Sequence, residues 1–389
     1  MRQYQNIFLF LFLILIQVIL VDTVHAQVEI ESKKRKPIWS YFGITPLDDT
    51  VLVHKSGFFI SPIIYYTPDT RWGGGGAGVY SFHLRDQNDT LDITRTSYIR
   101  FLVNYTMNKQ TDIWTDWSVF TRKEKFLFKG ELRFRNFPDR FYGIGNNTSI
   151  TDLEKYTYNL FSFKSKVSRK IFNKIYLGLD YHLEIEYGFK HEQGGQLETG
   201  LITGYEGGVG SALGLVSIID TRDNVLNSYS GQYAEFSSYF YTKIFGSTFR
   251  FVNLNGMYNK YWQVRPRHIL AWQTKARFTF GDVPFLDMSY VGNDDILRGY
   301  PKNRFKDRHF IGTQLEYRLP IFWRIGMTAF TGIGDVFAQV QDLTFKSIKY
   351  TAGLGLRFAV NPAERVNLRV DYGYGSQGGY FYFSVTEAF

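Results

Sequence analysis

The chain has 389 residues, no cysteine, a net charge of +9, 18% aromatic residues and a mean hydropathy of −0.21. After Ala26 no apolar run is long enough to cross a bilayer as a helix, which needs about 20 residues, so a helical membrane bundle is excluded. The missing cysteines suit an oxidising compartment, where a stray thiol would mispair, and a secreted soluble domain without disulfides stays open on composition alone.

The first element is a targeting segment. Arg2 supplies a positive start, Ile7 to Val21 is apolar except for Gln17, and Val24-His25-Ala26 offers small residues at the cleavage-specifying positions. This pattern predicts a signal peptide over 1–26, cut before Gln27, with an uncleaved anchor helix as the alternative. Residues 27–56 are a short polar lead-in carrying Lys33-Lys34-Arg35-Lys36. That run reads as a solvated tail; contact with lipid headgroups is the functional alternative, and nucleic-acid binding conflicts with the export signal. Gly73-Gly74-Gly75-Gly76-Ala77-Gly78 resembles a phosphate cradle only superficially, since neither Lys-Ser nor Lys-Thr follows and no helical pattern begins. Small residues at the start of a strand near a barrel seam account for it better.

The strongest pattern is a period of two. From Ile175 to Phe189 every odd position is apolar or aromatic, and the even positions include Asp180, His182, Glu184 and Glu186. Alternate side chains of a strand point to opposite faces, so this is a strand of about fifteen residues, roughly twice the usual globular length. His182, Glu184 and Glu186 share a face and could hold a metal; a hydrated ion-pair network fits better, and no metal or cofactor is expected. The alternation recurs at 311–319, 349–360 and 364–375. In these, Glu316 falls on the polar face of the first, and Arg369 and Asp371 on that of the last. Turn residues such as Pro68-Asp69, Asn88-Asp89, Asn146-Asn147 and Asn361-Pro362 separate the segments. Dividing 57–389 by about 21 positions per strand and its connection gives roughly sixteen strands. The fold expected is all-β: one transmembrane antiparallel β-barrel over 57–389, located in the outer membrane, because lipid admits only sheets without open edges. Asn88-Asp89-Thr90 and Asn104-Tyr105-Thr106 match a glycosylation pattern by chance, and no Ser–His–acid set stands at a recognisable spacing, so no enzyme is expected.

A long connection from Gly281 to about Arg308 is rich in Asp, Asn, Gly and Pro, and loops of that length are usually functional or disordered. At the end of the chain Phe381, Phe383 and Val385 alternate toward Phe389, which the pattern places at the membrane interface, where aromatics are favoured. Glu387 breaks the alternation.

Several segments resemble one family. Tyr290-Val291-Gly292, Leu297-Arg298-Gly299-Tyr300 and Gly312 through Glu316 to Pro320 occur in the order found in the BamA/TamA-like bacterial surface antigen barrels. Asp220-Thr221-Arg222-Asp223, Phe137 to Asn146 and Tyr66 to Thr70 resemble further segments, the last two those of members lacking periplasmic polypeptide-transport-associated domains. The resemblance implies that the 297–300 loop folds into the lumen. There Arg298 needs an anionic partner, and Glu316 is the candidate, since a bidentate pair would pin the loop. The family's second acidic residue falls at Gly332 here, so one partner is expected to be missing, with Asp335 nearby. The resemblance also implies insertion or export of client polypeptides, or an accessory role beside assembly subunits, with Phe381, Phe383, Val385 and Phe389 as a C-terminal assembly signal. A structural or pore-forming barrel is the alternative.

Overall fold

The computed structural model describes residues 56–67, 71–84 and 94–389, with the backbone alone for 64–67. The signal segment, the basic run at 33–36, the lead-in up to residue 55, Pro68-Asp69 and Asn88-Asp89-Thr90 lie outside the described residues.

Alternation becomes sheet almost throughout. The first half of the chain forms β1 (Gly57–Thr67), β2 (Arg71–Phe82), β3 (Ser97–Thr106), β4 (Thr111–Phe120), β5 (Phe126–Phe141), β6 (Glu154–Phe172), β7 (Ile175–His191) and β8 (Gly208–Asp220). The second half forms β9 (Gly231–Tyr241), β10 (Phe251–Arg265), β11 (His268–Gly281), the short β12 (Ser289–Val291) and β13 (Phe305–Asp307), then β14 (His309–Phe322), β15 (Ile325–Phe337), β16 (Lys349–Asn361), β17 (Val366–Gly375) and β18 (Gly378–Val385). All but β12 and β13 join one sixteen-stranded antiparallel sheet in chain order, with β14 taking its place beside β11. β12 and β13 pair only with each other and form a hairpin inside the long connection.

The sheet curls. Lys129 of β5 donates to the Tyr233 hydroxyl of β9 at 2.6 Å, and Arg100 of β3 reaches Thr386, just past β18, at 3.2 Å. One face is therefore enclosed and carries the polar alternation, while Leu179, Leu215 and Leu354 stand more than half exposed on the other. Inside, Lys164 pairs with Glu184 at 2.9 Å and the His182 ring lies 3.4 Å from Asp180, a network of ion pairs as the pattern of β7 suggested. Among the described residues no three His, Asp or Glu side chains converge as a metal site would need.

Successive strands alternate direction, so connections alternate between two ends. Long connections at 142–153, 192–207, 282–308 and 338–348 leave from one end; two-residue turns at 173–174, 266–267 and 323–324 lie at the other, together with the connections 83–96 and 221–230. Exposed aromatics gather at both levels of the outward face. Trp72, Tyr105, Tyr350 and Tyr374 stand at the loop end and Phe172, Trp262, Phe322 and Trp323 at the turn end.

β1 and β18 are the two ends of the sheet order and do not pair with each other among the described residues. Side chains bridge them instead. Phe59 of β1 and Val79 of β2 pack with Leu226, Val360 and Val366, and Val385 of β18 packs against the same cluster.

Candidate functional site: an arginine lock inside the sheet

The connection 282–308 turns back into the enclosed space. Its apolar side packs on the inner wall: Val291, Ile296, Leu297, Tyr300 and Phe305 form a cluster with Phe310 of β14 and Val336 of β15. The Asn293 side chain accepts hydrogen bonds from the backbone of Asp295 (3.2 Å) and Ile296 (2.8 Å), and this local turn aims the following residues at the wall.

Arg298 is completely buried. Its Nη2 donates to Glu316 of β14 at 2.6 Å, its Nη1 donates to Asp371 of β17, and its guanidinium lies 3.6 Å from the centre of the Phe330 ring on β15. The carboxylates are themselves held. Arg318 bonds Glu316 at 2.7 Å, Arg357 bonds Asp371, and Arg369 lies 3.6 Å from Asp371 and 3.5 Å from Asp294 in the loop. Glu387, past the end of β18, bonds Arg357 at 2.7 Å and lies 3.9 Å from Arg318. Burial alone would raise the Glu387 carboxyl; Arg357 and Arg318 outweigh it and hold the group below the ordinary carboxylate range. Four guanidiniums (298, 318, 357, 369) thus face three buried carboxylates (316, 371, 387), with the exposed Asp294 at the edge of the cluster beside Arg369.

The expected pairing of Arg298 with Glu316 is therefore present in the geometry, and the expectation of a missing partner is corrected. Asp371 supplies the second carboxylate. A Cβ at Gly332 would lie 3.3 Å from a Leu297 methyl, so a carboxylate there would intrude on the apolar cluster. Asp335 faces elsewhere, bonded to Lys349 at 3.2 Å.

The rest of the motif has matching reasons. Gly299 has φ 136°, a region closed to most side chains. A Cβ there would also sit 2.7 Å from the Tyr374 carbonyl carbon, so only glycine lets the loop lie this close to β17. Tyr300 donates its hydroxyl to the Tyr350 carbonyl of β16 at 3.2 Å. The Tyr382 hydroxyl of β18 accepts from Gly299 N at 2.8 Å and donates to the Tyr300 carbonyl at 3.2 Å, joining the end strand to the loop.

The end of the chain differs from expectation in one respect. Phe381 and Phe383 face outward and are largely exposed, and Val385 is part-buried at the seam cluster. Phe389 does not continue outward. Thr386 takes φ 77°, the chain swings inward, and the Phe389 ring settles 6.2 Å from Tyr261 while its carbonyl accepts from Arg318 at 3.0 Å. The buried pairing of Glu387 dictates this turn, and Glu387 is the residue that broke the alternation. Asp371, Arg357, Arg318 and Glu387 were not assigned to the site from sequence, although their inward register was readable for the first three.

A sixteen-stranded antiparallel sheet, apolar outside and charged inside, with a long loop folded into its interior, is the architecture of a membrane-spanning β-barrel. The chain belongs to the Omp85 superfamily, whose domain model matches residues 90–389. Among solved structures it is similar to BamA from Haemophilus ducreyi lacking POTRA domains 1-3, with TM-score 0.51 and 12% identity over 86% of this chain and 70% of that one. It is also similar to CdiB from Acinetobacter baumannii, with TM-score 0.50 and 11% identity over 85% of this chain and 59% of that one. At such identities these likenesses speak for the fold alone. A search of curated proteins finds no match.

Proposed function

We propose that this protein sits in the outer membrane and works on polypeptides, inserting or exporting them or serving as an accessory subunit of the machinery that does. The observation that carries this reading is the seam. β1 and β18 share no backbone pairing among the described residues, and an apolar cluster and the Arg100–Thr386 hydrogen bond link the sheet ends in its place. An edge strand is a template for pairing with another chain, so a seam held by side chains can admit a client strand where a fully paired wall cannot. Two levels of exposed aromatics around an aliphatic belt suit the two water interfaces of a bilayer.

On this reading the outward Phe381 and Phe383, with Val385, form the chain's own assembly signal, and the inward Phe389 contributes from inside. The pore alternative is weakened by the loop, which places a fully buried arginine and its ion pairs inside the sheet where a conduit needs water. Depletion of the protein, followed by quantification of outer-membrane proteins, is the deciding experiment. Selective loss of a set of barrels or exported polypeptides supports the proposal. An unchanged proteome together with large single-channel conductance overturns it in favour of the pore.

A further inference from the structure

A chamber of about 310 Å³ lies at the turn end of the sheet, against the arginine network. Five arginines line it: Arg267 and Arg324 from two-residue turns, Arg318 of β14, Arg357 of β16 and Arg365 from the turn before β17. Among the described residues the lining holds a single carboxylate, Glu387.

The buried charges behind this lining do not balance. Glu316, Asp371 and Glu387 are buried against Arg298, Arg318, Arg357 and Arg369, so guanidiniums outnumber buried carboxylates by one. Asp294 is exposed at the far edge, where solvent weakens its pull on Arg369.

The hydrogen bonds do not balance either. Arg318 is fully used, with Nε on Glu316, Nη1 on the Asn227 side chain at 3.3 Å and Nη2 on the Phe389 carbonyl at 3.0 Å. Arg357 gives Nε to Glu387 at 2.7 Å and Nη1 to Asp371. Its Nη2, 3.7 Å from Glu316, is buried with no hydrogen-bond acceptor among the described residues. Arg298 Nε and Arg369 Nε and Nη1 are buried in the same condition. Such donors are rare in a folded interior and mark a place for water or an ion. Water satisfies the donors but leaves the charge; an anion answers both.

The lining also selects the anion. Guanidinium forks match the oxygen pairs of carboxylates and phosphates, and one unmatched buried charge suits a monoanion. Ile269, Leu319 and Met327 give the chamber an apolar side, which suits an anion carried on an apolar residue. Arg318, Arg357 and Glu387 belong to the enclosed face, which bilayer lipid does not reach, so the ligand comes from the aqueous side of the turns.

We propose that this chamber binds one monoanionic oxyanion group, a carboxylate or a phosphate, presented from the turn end. Two sources share that chemistry: a small free anion, and a carboxylate carried on a polypeptide. The second source rests on the function proposed above. Either one completes the charge of the lock.

The test is isothermal titration of the full chain in uncharged detergent micelles with three probes: dimethyl phosphate, N-acetylphenylalanine and the uncharged amide of the latter. The anions should bind with dissociation constants of about 1 mM, and the amide should not bind. Glu387→Gln removes the acid from the lining and releases Arg357 Nε, so it should tighten both anions about tenfold while weakening the fold. A purely structural role for Glu387 predicts the opposite sign, since a loosened chamber binds less well. Arg267→Glu, at an exposed turn, should weaken both anions by about fivefold, and it decides alone if Glu387→Gln does not assemble. N-acetylphenylalanine binding at least about tenfold tighter than dimethyl phosphate identifies the polypeptide source, and any smaller preference identifies a free anion; either supports the site. Absence of anion binding, equal binding of the amide, or affinities that do not move in these directions in the assembled variants overturn the site. Anion binding in a protein whose depletion leaves the outer-membrane proteome unchanged keeps the site and removes only its polypeptide source.

Discussion

Replacing Arg298 by alanine is the sharpest probe of the lock. The change deletes a fully buried guanidinium that bonds Glu316 and Asp371 and stacks on Phe330. Breaking a buried ion pair by removing one partner costs about 3–5 kcal/mol. Here neither carboxylate is left alone, since Glu316 keeps Arg318 at 2.7 Å and Asp371 keeps Arg357, so the lower end applies. The desolvated cation–ring contact adds about 1–2 kcal/mol, for a total of about 4 kcal/mol. Arg298→Lys should fall between, because a point charge cannot span two carboxylates in a fixed fork. The internal control is Arg365→Ala. Its 2.6 Å contact with Asp223 is comparably short but partly exposed, and should be worth under about 1 kcal/mol. The assay is the temperature at which the barrel loses compact migration in SDS, with tryptic cleavage at Lys302 and Arg304 reporting release of the loop. Unchanged melting and protection in Arg298→Ala, or an equal loss in Arg365→Ala, would refute the argument. A charge-swap rescue is not expected, since an arginine at 316 would face Arg318 and Arg357 whatever stood at 298.

Asp371→Asn should destabilise the lock measurably in the same assay, because it weakens the contacts of both Arg298 and Arg357, whereas Asp335→Asn should leave loop protection intact. Gly299→Ala forces a side chain into φ 136° against β17 and should cost roughly 3 kcal/mol, with cleavage at Lys302 increased. Glu387 has a lowered folded pKa, so its contribution is complete above the ordinary carboxylate range and lost as pH falls through the lowered value. Glu387→Gln should therefore melt earlier than wild type at neutral pH and converge with it only in acid, as the pH falls through that lowered value. Asp287, in the loop, has the opposite sign. Burial, reinforced by Glu184, pushes it up to about 7, so folding loses stability as pH rises from the ordinary carboxylate range to there. Asp287→Asn should match wild type in acid and melt later than it above about pH 7.

Much of this architecture was legible because β7, β14, β16 and β17 each announce two faces one residue apart, and length then limits how many such strands fit. The pairing of Arg298 with Glu316 was legible from register plus family resemblance. Asp371 was readable as inward but not as a partner, because β17 is three strands away from β14 and only the curl of the sheet and the inserted loop bring them together. The inward turn of Phe389 was hidden for a different reason. It depends on a left-handed residue at Thr386, a position where nothing in the local sequence asks for one.

The hydroxyl of Tyr382 touches two successive backbone groups of the inserted loop, so the terminal strand is moored from within. Peeling β18 alone from its neighbours would have to strip that mooring first. Swinging β14 to β18 together, with residues 293–300 of the loop attached, would keep both that mooring and the contacts of Arg298 with Glu316, Phe330 and Asp371. Any widening between the two ends of the wall is therefore cheapest as the motion of a hinged panel rather than of a single slat.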